Sequence, residues 1–233
     1  MAETSSLRAA LIIPALNEEA VIGRTLARVP PGLYEAILVA DNGSTDGTAE
    51  AARAAGATVV HEPERGYGAA CLKAMAHLPP EIDVVVFMDA DSSDNPAEAP
   101  RLLAPIAEGR ADLVIGSRTL GEAEPGALLP HQRFGNALAT FLIRILYGHR
   151  YTDLGPFRAI RAEALARIGM RDRNYGWTIE MQVKAVQHGL RVEEVPVSYA
   201  KRIGVSKVSG NAKASVRAGV KILWTVFRLA WLR

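Results

Sequence analysis

The sequence has a single cysteine, Cys71, among its 233 residues, so no disulfide can form within the chain. It also has no Cys or His spacing typical of a structural zinc site. No secretory signal peptide is recognisable, because the first apolar run, residues 11–13, is cut off at Pro14. These absences argue against a disulfide-stabilised or exported protein and predict a cytoplasmic one.

Acidic side chains are absent from residues 200–233, which carry eight of the 27 lysines and arginines of the chain. The rest of the chain therefore holds 19 basic groups against 25 acidic groups and a net charge of −6, although the whole chain carries +2. This polarity predicts that the basic end meets an anionic partner. Nucleic acid is not the expected partner, since no interleaved aromatic platform or recognised binding motif accompanies the basic residues.

Short β-branched runs alternate with Ala- and Leu-rich amphipathic stretches in the first half of the sequence. This alternation predicts βαβ units, and hence an α/β fold with a mainly parallel sheet between layers of helices. The predicted strands are residues 9–13, 36–40, 57–61, 84–88 and 113–115. Polar residues gather at the carboxyl ends of these strands, where open α/β sheets bind their ligands.

The second half is predicted to begin with a loop, because residues 119–132 are rich in glycine and proline and show little periodicity. This loop is a candidate lid. The later sequence predicts helices at 134–147 and 177–188, a turn at 152–156, a strand at 192–199 and a terminal helix from 212. The predicted organisation is one globular domain, residues 1–211, followed by a basic amphipathic helix, residues 212–233.

Two aspartates, Asp89 and Asp91, directly follow the apolar strand predicted at residues 84–88. Carboxylates two residues apart at a strand end can share a hard divalent cation such as Mg²⁺ or Mn²⁺, which completes its coordination with phosphate oxygens. A lone Asp-x-Asp pair is more often a turn in which an aspartate caps the next helix. The preceding strand and the other motifs favour metal binding and a diphosphate ligand.

The second predicted strand leads into Asp41, the first residue of the run DNGSTDG. At a strand end Asp41 can accept N–H donors from a nucleotide base. A structural Asx turn explains residues 42–47 equally well, so only Asp41 is assigned to a ligand. The later Gly66-Tyr67-Gly68 lacks the third glycine of a dinucleotide fingerprint and is interpreted as the start of a helix.

Taken together, the motifs resemble those of the family-2 glycosyltransferases with the GT-A fold, close to the dolichol-phosphate mannose synthase and polyprenyl-phosphate glycosyltransferase branch. The resemblance covers about residues 11–207, and only the combination of its segments is highly specific. The segments are IPALNEE at 13–19, ADNGSTDGT at 40–48, DAD at 89–91, GSR at 116–118, DLGPFR at 153–158, WTIE at 177–180 and RxGxSK at 202–207.

The resemblance implies roles for these residues in transfer from a nucleotide-sugar donor, of the UDP-glucose type or GDP-mannose. Asp89 and Asp91 would hold the metal, and Ser93 stands where the mannose-synthase branch commonly has Gln, which leaves the third protein ligand open. Arginines at three positions would serve the phosphates of donor and acceptor, in agreement with bidentate binding of phosphate by guanidinium groups. These are Arg118, Arg133 and Arg202. The implied donor-binding residues are Pro14, Leu16, Glu18, Val39, Asp41, Asp89, Ala90, Asp91, Ser93 and Arg202.

The acceptor decides whether an inverting transfer needs a general base. A membrane polyprenyl or dolichyl-type phosphate is already ionised, so positioning and charge stabilisation suffice. A hydroxyl acceptor needs a base, and Asp153 and Glu180 are the candidates that the motifs supply. Capping of a turn or helix accounts for either carboxylate equally well. We expect the lipid phosphate, with the hydroxyl acceptor as the alternative.

The predicted terminal helix favours the lipid. Its residues 216, 220, 223, 227 and 231 place apolar side chains on one face, with Arg217, Lys221 and Arg228 opposite. This pattern is typical of a helix in a membrane interface, where cations meet anionic headgroups. Packing on the domain, or on a second subunit of a homo-oligomer, is the alternative. We expect a peripheral protein at the cytoplasmic face of a membrane.

Two other classes of protein fit part of the pattern. A sugar-phosphate nucleotidyltransferase also has an α/β nucleotide pocket with metal-binding carboxylates. It is expected to have a Gly-rich basic loop after the first strand, however, where this chain has residues 14–19. A non-catalytic nucleotide-sugar-binding module is less favoured, because the carboxylate pair is intact.

Overall fold

The computed structural model describes residues 7–204 and 212–231. Seven strands form one sheet in the order β3-β2-β1-β4-β6-β5-β7. β6 is antiparallel to its neighbours β4 and β5, and the other four pairings are parallel. The strands are β1 (Ala9–Ala15), β2 (Ala36–Asp41), β3 (Thr58–His61), β4 (Val84–Phe87), β5 (Leu113–Ser117), β6 (Arg158–Arg161) and β7 (Val192–Pro196).

Helices cover both faces of this sheet, and a short 3₁₀ helix at Pro96–Glu98 precedes the fourth of them. The predicted α/β fold with a mainly parallel sheet is therefore confirmed. The helices are α1 (Glu19–Ala27), α2 (Thr48–Ala54), α3 (Tyr67–Met75), α4 (Ala99–Ala107), α5 (Pro130–Tyr147), α6 (Ala162–Ile168), α7 (Trp177–Gln187) and α8 (Ala212–Trp231).

The side chains of the central strands belong to two separate apolar cores, because successive side chains of a strand point to opposite faces of the sheet. Ile12 belongs to the core that also contains buried residues of α3, α5, α7 and α8. Its neighbours Leu11 and Ile13 belong to the other core, together with buried residues of α1, α2 and α4. Burial on both faces explains why β1 and β4 are continuous apolar runs.

The structure differs from the sequence-based expectations at three places in the second half. β6 and α6 were not predicted, since the four residues of β6 begin and end with arginine and have no clear period. The strand expected to continue to residue 199 ends at Pro196, and Tyr199 forms only isolated bridges to Asp94 and Ala123. α5 begins four residues earlier than expected, with Pro130 at its first position.

The predicted terminal helix is present, and one of its faces packs on α5 and α7. Val226 and Leu229 are buried, and their carbonyl oxygens accept hydrogen bonds from Tyr147 (2.5 Å) and Gln187 (2.8 Å). Lys221 pairs with Asp172 at 2.9 Å. Within residues 7–204 and 212–231, no helix is long and apolar enough to cross a bilayer. The division into a domain and an appended helix at residue 212 stays a prediction.

Candidate active site

A cleft opens at the carboxyl ends of β1 and β4, where the strand order changes direction. β1 continues to β2 on one side and pairs with β4 on the other, so the loops after β1 and β4 separate and leave a crevice between them. The cavity measures about 540 Å³, a volume usual for small-ligand sites. Eight of the residues predicted from sequence line it: Pro14, Leu16, Glu18, Asp89, Ala90, Asp91, Arg118 and Arg202.

The remaining predicted residues lie outside the lining of this cavity. Val39 is fully buried within β2. Arg133 and Asp153 line a second, neighbouring cavity. Asp41, Ser93 and Glu180 are buried and bonded to other parts of the protein.

Three aspartates crowd the loop after β4. The backbone N–H of Asp89 donates to Asp94 Oδ2 at 3.2 Å, and Asp91 Oδ1 accepts the backbone N–H of Ser93 at 3.0 Å. Ser92 has a left-handed backbone (φ 60°), unusual for a residue with a side chain. Its hydroxyl lies 2.6 Å from that of Thr25, which fixes the turn to α1. The strained turn therefore holds the three carboxylates at one end of β4.

The crowding of carboxylates changes their protonation. Burial, and then the negative charge of Asp91, raise the pKa of Asp89 to about 7. Burial and the charges of the same two aspartates raise the pKa of Asp94 well above its usual range. The Oδ1 atom of Asp94 is buried and accepts no hydrogen bond from the described residues. The loop thus concentrates more negative charge than its surroundings neutralise, a suitable environment for a cation.

Asp89 and Asp91 are the side chains that could hold a divalent cation here. Tyr67 donates its hydroxyl to Asp89 Oδ1 at 3.1 Å, and Asp91 Oδ2 lies 3.3 Å from Arg202. In the described part of the chain, no group of three or more His, Cys, Asp or Glu side chains is arranged to hold a metal. A cation at this loop would therefore complete its shell with ligand and water oxygens, as Mg²⁺ commonly does with phosphates.

Arg202 connects the acidic loop to the segment after β1. One of its terminal nitrogens lies 3.3 Å from Asp91 Oδ2 and 3.4 Å from Glu18 Oε1. Both distances are long for charge-assisted hydrogen bonds, which favour about 2.7–2.9 Å. The backbone N–H of Ile203 donates to the carbonyl oxygen of Asp91 at 3.1 Å, which fixes this segment beside the loop. The guanidinium group is therefore held at the cavity by weak contacts that a phosphate can replace.

Arg118, which follows β5, is held much more firmly. Its Nε and Nη2 donate to the two carboxylate oxygens of Asp153, each at 2.8 Å, and its backbone N–H donates to Asp153 Oδ2 at 2.8 Å. The guanidinium carbon lies 5.0 Å from the centre of the Tyr199 ring, a cation–π distance. Asp153 is the fixed counter-ion of Arg118 in this arrangement.

The segment that carries Asp153 is itself fixed by buried polar contacts. Glu194 accepts the backbone N–H groups of Thr152 (2.9 Å) and Asp153 (3.1 Å). Arg158 is fully buried beneath the segment and donates to the carbonyl oxygens of Gly155 (3.1 Å) and Thr178 (3.0 Å). Burial lowers the pKa of Arg158 to about 10. These contacts make the base of the Arg118–Asp153 pair rigid.

Asp41 lies at the end of β2 and serves the loop that follows. Its two oxygens accept the backbone N–H of Ser44 and face His61 Nδ1, each at 3.0 Å. Burial by itself would raise the pKa of Asp41, but the hydrogen bonds from Ser44 and His61 outweigh it and lower the pKa. The carboxylate is thus kept charged beside the cleft.

Glu180 supports a loop of the cleft wall. It accepts the backbone N–H groups of Arg171 (3.0 Å) and Asp172 (2.6 Å) and pairs with Lys184 at 2.8 Å. The loop it fixes continues into Asn174 and Tyr175, which line the cavity. In this position Glu180 stabilises the loop that forms this part of the cavity wall.

Sequence patterns missed several residues of the site. Tyr67, Trp177 and Tyr199 line the cavity, and Asp94 lies against Asp89. The pair of glycines around Tyr67 was an available signal. A side chain at Gly66 or Gly68 would collide with the backbone carbonyl of Arg173 or Asp172, so the glycines allow α3 to begin close to that loop.

The sheet, with its acidic loop after β4 and its antiparallel β6, has the GT-A fold. Glucosyl-3-phosphoglycerate synthase of Mycobacterium tuberculosis, solved with Mn²⁺, UDP and its product, superposes with a TM-score of 0.78 at 23% identity. The match covers 97% of this chain and 81% of that one. At this level of identity, the likeness shows the fold.

Sequence comparison defines the protein further. Residues 10–169 match the model of "Glycosyl transferase family 2", and the chain belongs to this family. An uncharacterised glycosyltransferase of M. tuberculosis is 39% identical over 210 residues, which cover 89% of this chain and 93% of the relative. The undecaprenyl-phosphate mannosyltransferase of Micrococcus luteus is 34% identical over 218 residues, which cover 88% and 89%. The protein is accordingly a glycosyltransferase.

Proposed function

We propose that the protein transfers a sugar, with inversion, from a nucleoside-diphosphate sugar to a membrane polyprenyl phosphate. The observation that carries the proposal is the state of the two candidate bases. Asp153 and Glu180 are each about 1% exposed or less, and both are already bonded to fixed partners. With both of these candidate bases buried and engaged, the site suits an acceptor that is already ionised.

The donor would lie in the 540 Å³ cavity, with its diphosphate at the acidic loop. Asp89 and Asp91 would hold Mg²⁺ or Mn²⁺, which would neutralise charge on the diphosphate as it leaves. A cation at this place is supported by the crowded carboxylates and by the Oδ1 atom of buried Asp94, which accepts no hydrogen bond from the described part of the chain. The Mn²⁺- and UDP-bound state of the structural relative agrees with this assignment.

Two arginines that line the cavity, Arg118 and Arg202, would stabilise the phosphates. Asp153 occupies Nε and Nη2 of Arg118, which leaves Nη1 for a phosphate oxygen near the cavity. Arg202 can exchange its long contacts with Asp91 and Glu18 for a phosphate once a cation takes up the aspartate charge. An oxygen of the lipid phosphate would then attack the anomeric carbon while the nucleoside diphosphate departs on the other side. No proton has to be removed in this step.

The surface next to the cleft supports a lipid substrate. α5 and α8 pack together, and both expose large apolar side chains, which we call the apolar face. Its members are Phe134, Phe141, Ile145, Val220, Trp224, Phe227 and Trp231, and they are between 43% and 89% exposed. Aromatic and apolar side chains of this kind enter the interface of a bilayer. We therefore propose that this face docks the enzyme peripherally on an anionic membrane.

The sequence left two roles open for α8, packing on the domain and docking on a membrane, and the structure allows both. Val226 and Leu229 face the domain, and Trp224 and Trp231 face outward, so packing on the domain and membrane docking use different sides. A second subunit covering the outer side is the remaining alternative. The mannosyltransferase relative, whose name gives undecaprenyl phosphate as its acceptor, favours the membrane.

A transfer assay tests the proposal. UDP- and GDP-sugars are supplied with Mg²⁺ or Mn²⁺ and either undecaprenyl phosphate in vesicles or soluble hydroxyl compounds. The expected product is a glycosyl phosphoryl lipid whose anomeric configuration is opposite to that of the donor. Transfer to a soluble hydroxyl that disappears in Asp153→Asn or Glu180→Gln, with none to the lipid phosphate, refutes the proposal in favour of base catalysis.

Vesicle pelleting tests the docking separately. Binding should increase with anionic lipid and decrease with salt, and it should be lost when the chain is cut before Ala212. Trp224→Gln with Trp231→Gln should weaken it, while Trp177→Phe, a change at a buried tryptophan, serves as the control. Binding that is indifferent to both exposed tryptophans, together with a dimer in solution, would favour a subunit interface.

A further inference from the structure

A second cavity, of about 610 Å³, lies beside the donor cavity, and Arg118 belongs to the lining of both. One wall is α5, and the other is formed by residues 118–123 and 150–153. Besides Arg118, three arginines line it: Arg133, Arg144 and Arg150. We call this cavity the basic cleft.

The helical repeat explains how the basic cleft is built. Arg133 and Arg144 are eleven residues apart, close to three full turns of 3.6 residues, so both project from the same side of α5. At 1.5 Å per residue they are roughly 16 Å apart along the helix axis. α5 ends at Tyr147, and the left-handed backbone of Gly148 (φ 74°) turns the chain after it. Arg150 follows two residues later and lines the same cleft as Arg144.

The positive charge of the basic cleft is not neutralised by acidic residues that line it. Asp153 is the only acidic residue among the described residues that line it, and both of its oxygens are taken by Arg118. In the part of the chain that the structure describes, Arg133, Arg144 and Arg150 form no ion pair. Four exposed arginines elsewhere, Arg101, Arg110, Arg173 and Arg191, each pair with a carboxylate. Others, such as Arg24 and Arg167, are also exposed and form no ion pair among the described residues, but they do not line a common cavity. Like charges gathered in one concave site repel one another unless an anion joins them.

We propose that the end of the basic cleft lined by Arg144 and Arg150 is a binding site for a phosphate group. Guanidinium groups suit this ligand, because their fixed donors match two phosphate oxygens at once. The position suits it as well: Phe141 lines the cleft and is 55% exposed on the apolar face. A phosphate at the surface of a bilayer would thus reach the arginines while the apolar face is docked.

This site is distinct from the machinery of the proposed transfer reaction. It requires neither donor nor acceptor, and it rests on Arg144 and Arg150, which line the basic cleft and not the donor cavity. Its phosphate can belong to a phospholipid headgroup or to a free anion. Binding measurements with each of the two sources separate them.

The test compares two double variants of equal charge. Arg144→Gln/Arg150→Gln removes the site, and Arg24→Gln/Arg167→Gln removes two exposed arginines that line neither cavity. Calorimetric titration of the unmodified protein and of each double variant with inorganic phosphate measures binding of the free anion. Flotation with phosphatidylcholine vesicles, with and without phosphatidic acid, measures the lipid headgroup. Thermal unfolding of each variant establishes that it is folded.

We expect Arg144→Gln/Arg150→Gln to weaken phosphate binding, or the phosphatidic-acid-dependent part of vesicle binding, by about tenfold or more. The Arg24→Gln/Arg167→Gln control should bind like the unmodified protein. Loss in the phosphate titration assigns the site to free phosphate, and loss only with vesicles assigns it to lipid. Equal behaviour of the two double variants in both measurements overturns the proposal, even if glycosyl transfer proceeds as proposed.

Discussion

The Arg118–Asp153 pair offers the sharpest test of how the site is held together. Four N–H groups donate to Asp153: three from Arg118 and the backbone N–H of Leu154. Each carboxylate oxygen accepts two of them. In Asp153→Asn only one oxygen remains. Two Arg118 donors lose their acceptor if the amide nitrogen replaces Oδ2, and Nη2 loses it if the nitrogen replaces Oδ1, because the Leu154 N–H also donates to Asn136 Oδ1 at 2.9 Å.

The size of the effect follows from burial. The side chains of Arg118 and Asp153 are 14% and 1% exposed. A buried donor left without a partner costs about 1–3 kcal/mol, so one or two cost roughly 1–6 kcal/mol. Removing one partner of a buried ion pair costs about 3–5 kcal/mol, which lies within this range. At about 2–4 °C per kcal/mol for a chain of this size, the Tm should fall by roughly 5–20 °C.

The protein contains a matched control for this substitution. Arg191 also donates Nε and Nη2 to the two oxygens of one aspartate, Asp112, at 3.1 and 2.7 Å. Its side chain is 55% exposed, however, so water replaces what is lost. We expect Asp112→Asn to cost about 1 kcal/mol or less. Urea unfolding of the two variants measures the difference directly.

Kinetics of the same variants separate positioning from base catalysis. If Asp153 positions Arg118, then Asp153→Asn and Arg118→Gln should impair transfer similarly. The combination of both should be little worse than either, because they remove one interaction. The reasoning is refuted if Asp153→Asn is as stable as Asp112→Asn and binds donor normally, yet loses transfer together with the acid limb of its pH profile.

Three further predictions concern the donor cavity. Asp91→Asn should lose nearly all donor turnover while keeping its circular dichroism spectrum, and excess EDTA should have the same effect on the unmodified protein; full activity in EDTA would contradict a metal requirement. Because the pKa of Asp89 is raised to about 7, the folded metal-free protein keeps a proton that the unfolded chain has released, so its stability should fall as pH rises from the usual aspartate pKa to about 7. Mn²⁺ binding, which needs that proton removed, should tighten over the same window and level off above it, and calorimetric titrations that show a constant affinity would oppose this. Asp41→Ala should weaken nucleoside diphosphate binding by about one to two decades if Asp41 accepts a hydrogen bond from the base, and an unchanged Kd would exclude that role.

Local pattern was sufficient to predict much of the sheet and the position of the acidic loop. β1, β2 and β4 are buried on both faces, so their sequences are continuous apolar runs. Runs as short as these indicate β-strands, because buried helices are usually longer. Because parallel strands carry their ligands at the carboxyl ends, the position of Asp89 and Asp91 directly after an apolar run was enough to place them in the cleft.

Long-range pairing could not be predicted in the same way. β6 is a strand because β4 and β5 leave a gap that it fills in antiparallel register, and its own four residues carry no period. The partnership of Arg118 with Asp153 joins residues 35 positions apart, and that of Tyr67 with Asp89 depends on two glycines meeting a distant loop. The sequence motifs include several of these residues, but they do not predict which of them pair with one another.

The docking of α8 has a consequence for the donor cavity. Gly219 and Ile222 of this helix line the cavity, and Lys221 holds Asp172, in the loop that Glu180 fixes. The wall on this side therefore depends on α8 staying packed on α5 and α7. Release of one helix costs less free energy than global unfolding. Hydrogen exchange would show this as early exchange of α8 amides together with those of residues 171–176, ahead of the strands. That result would mean that the cavity opens at its rim while the sheet that carries the aspartates stays intact.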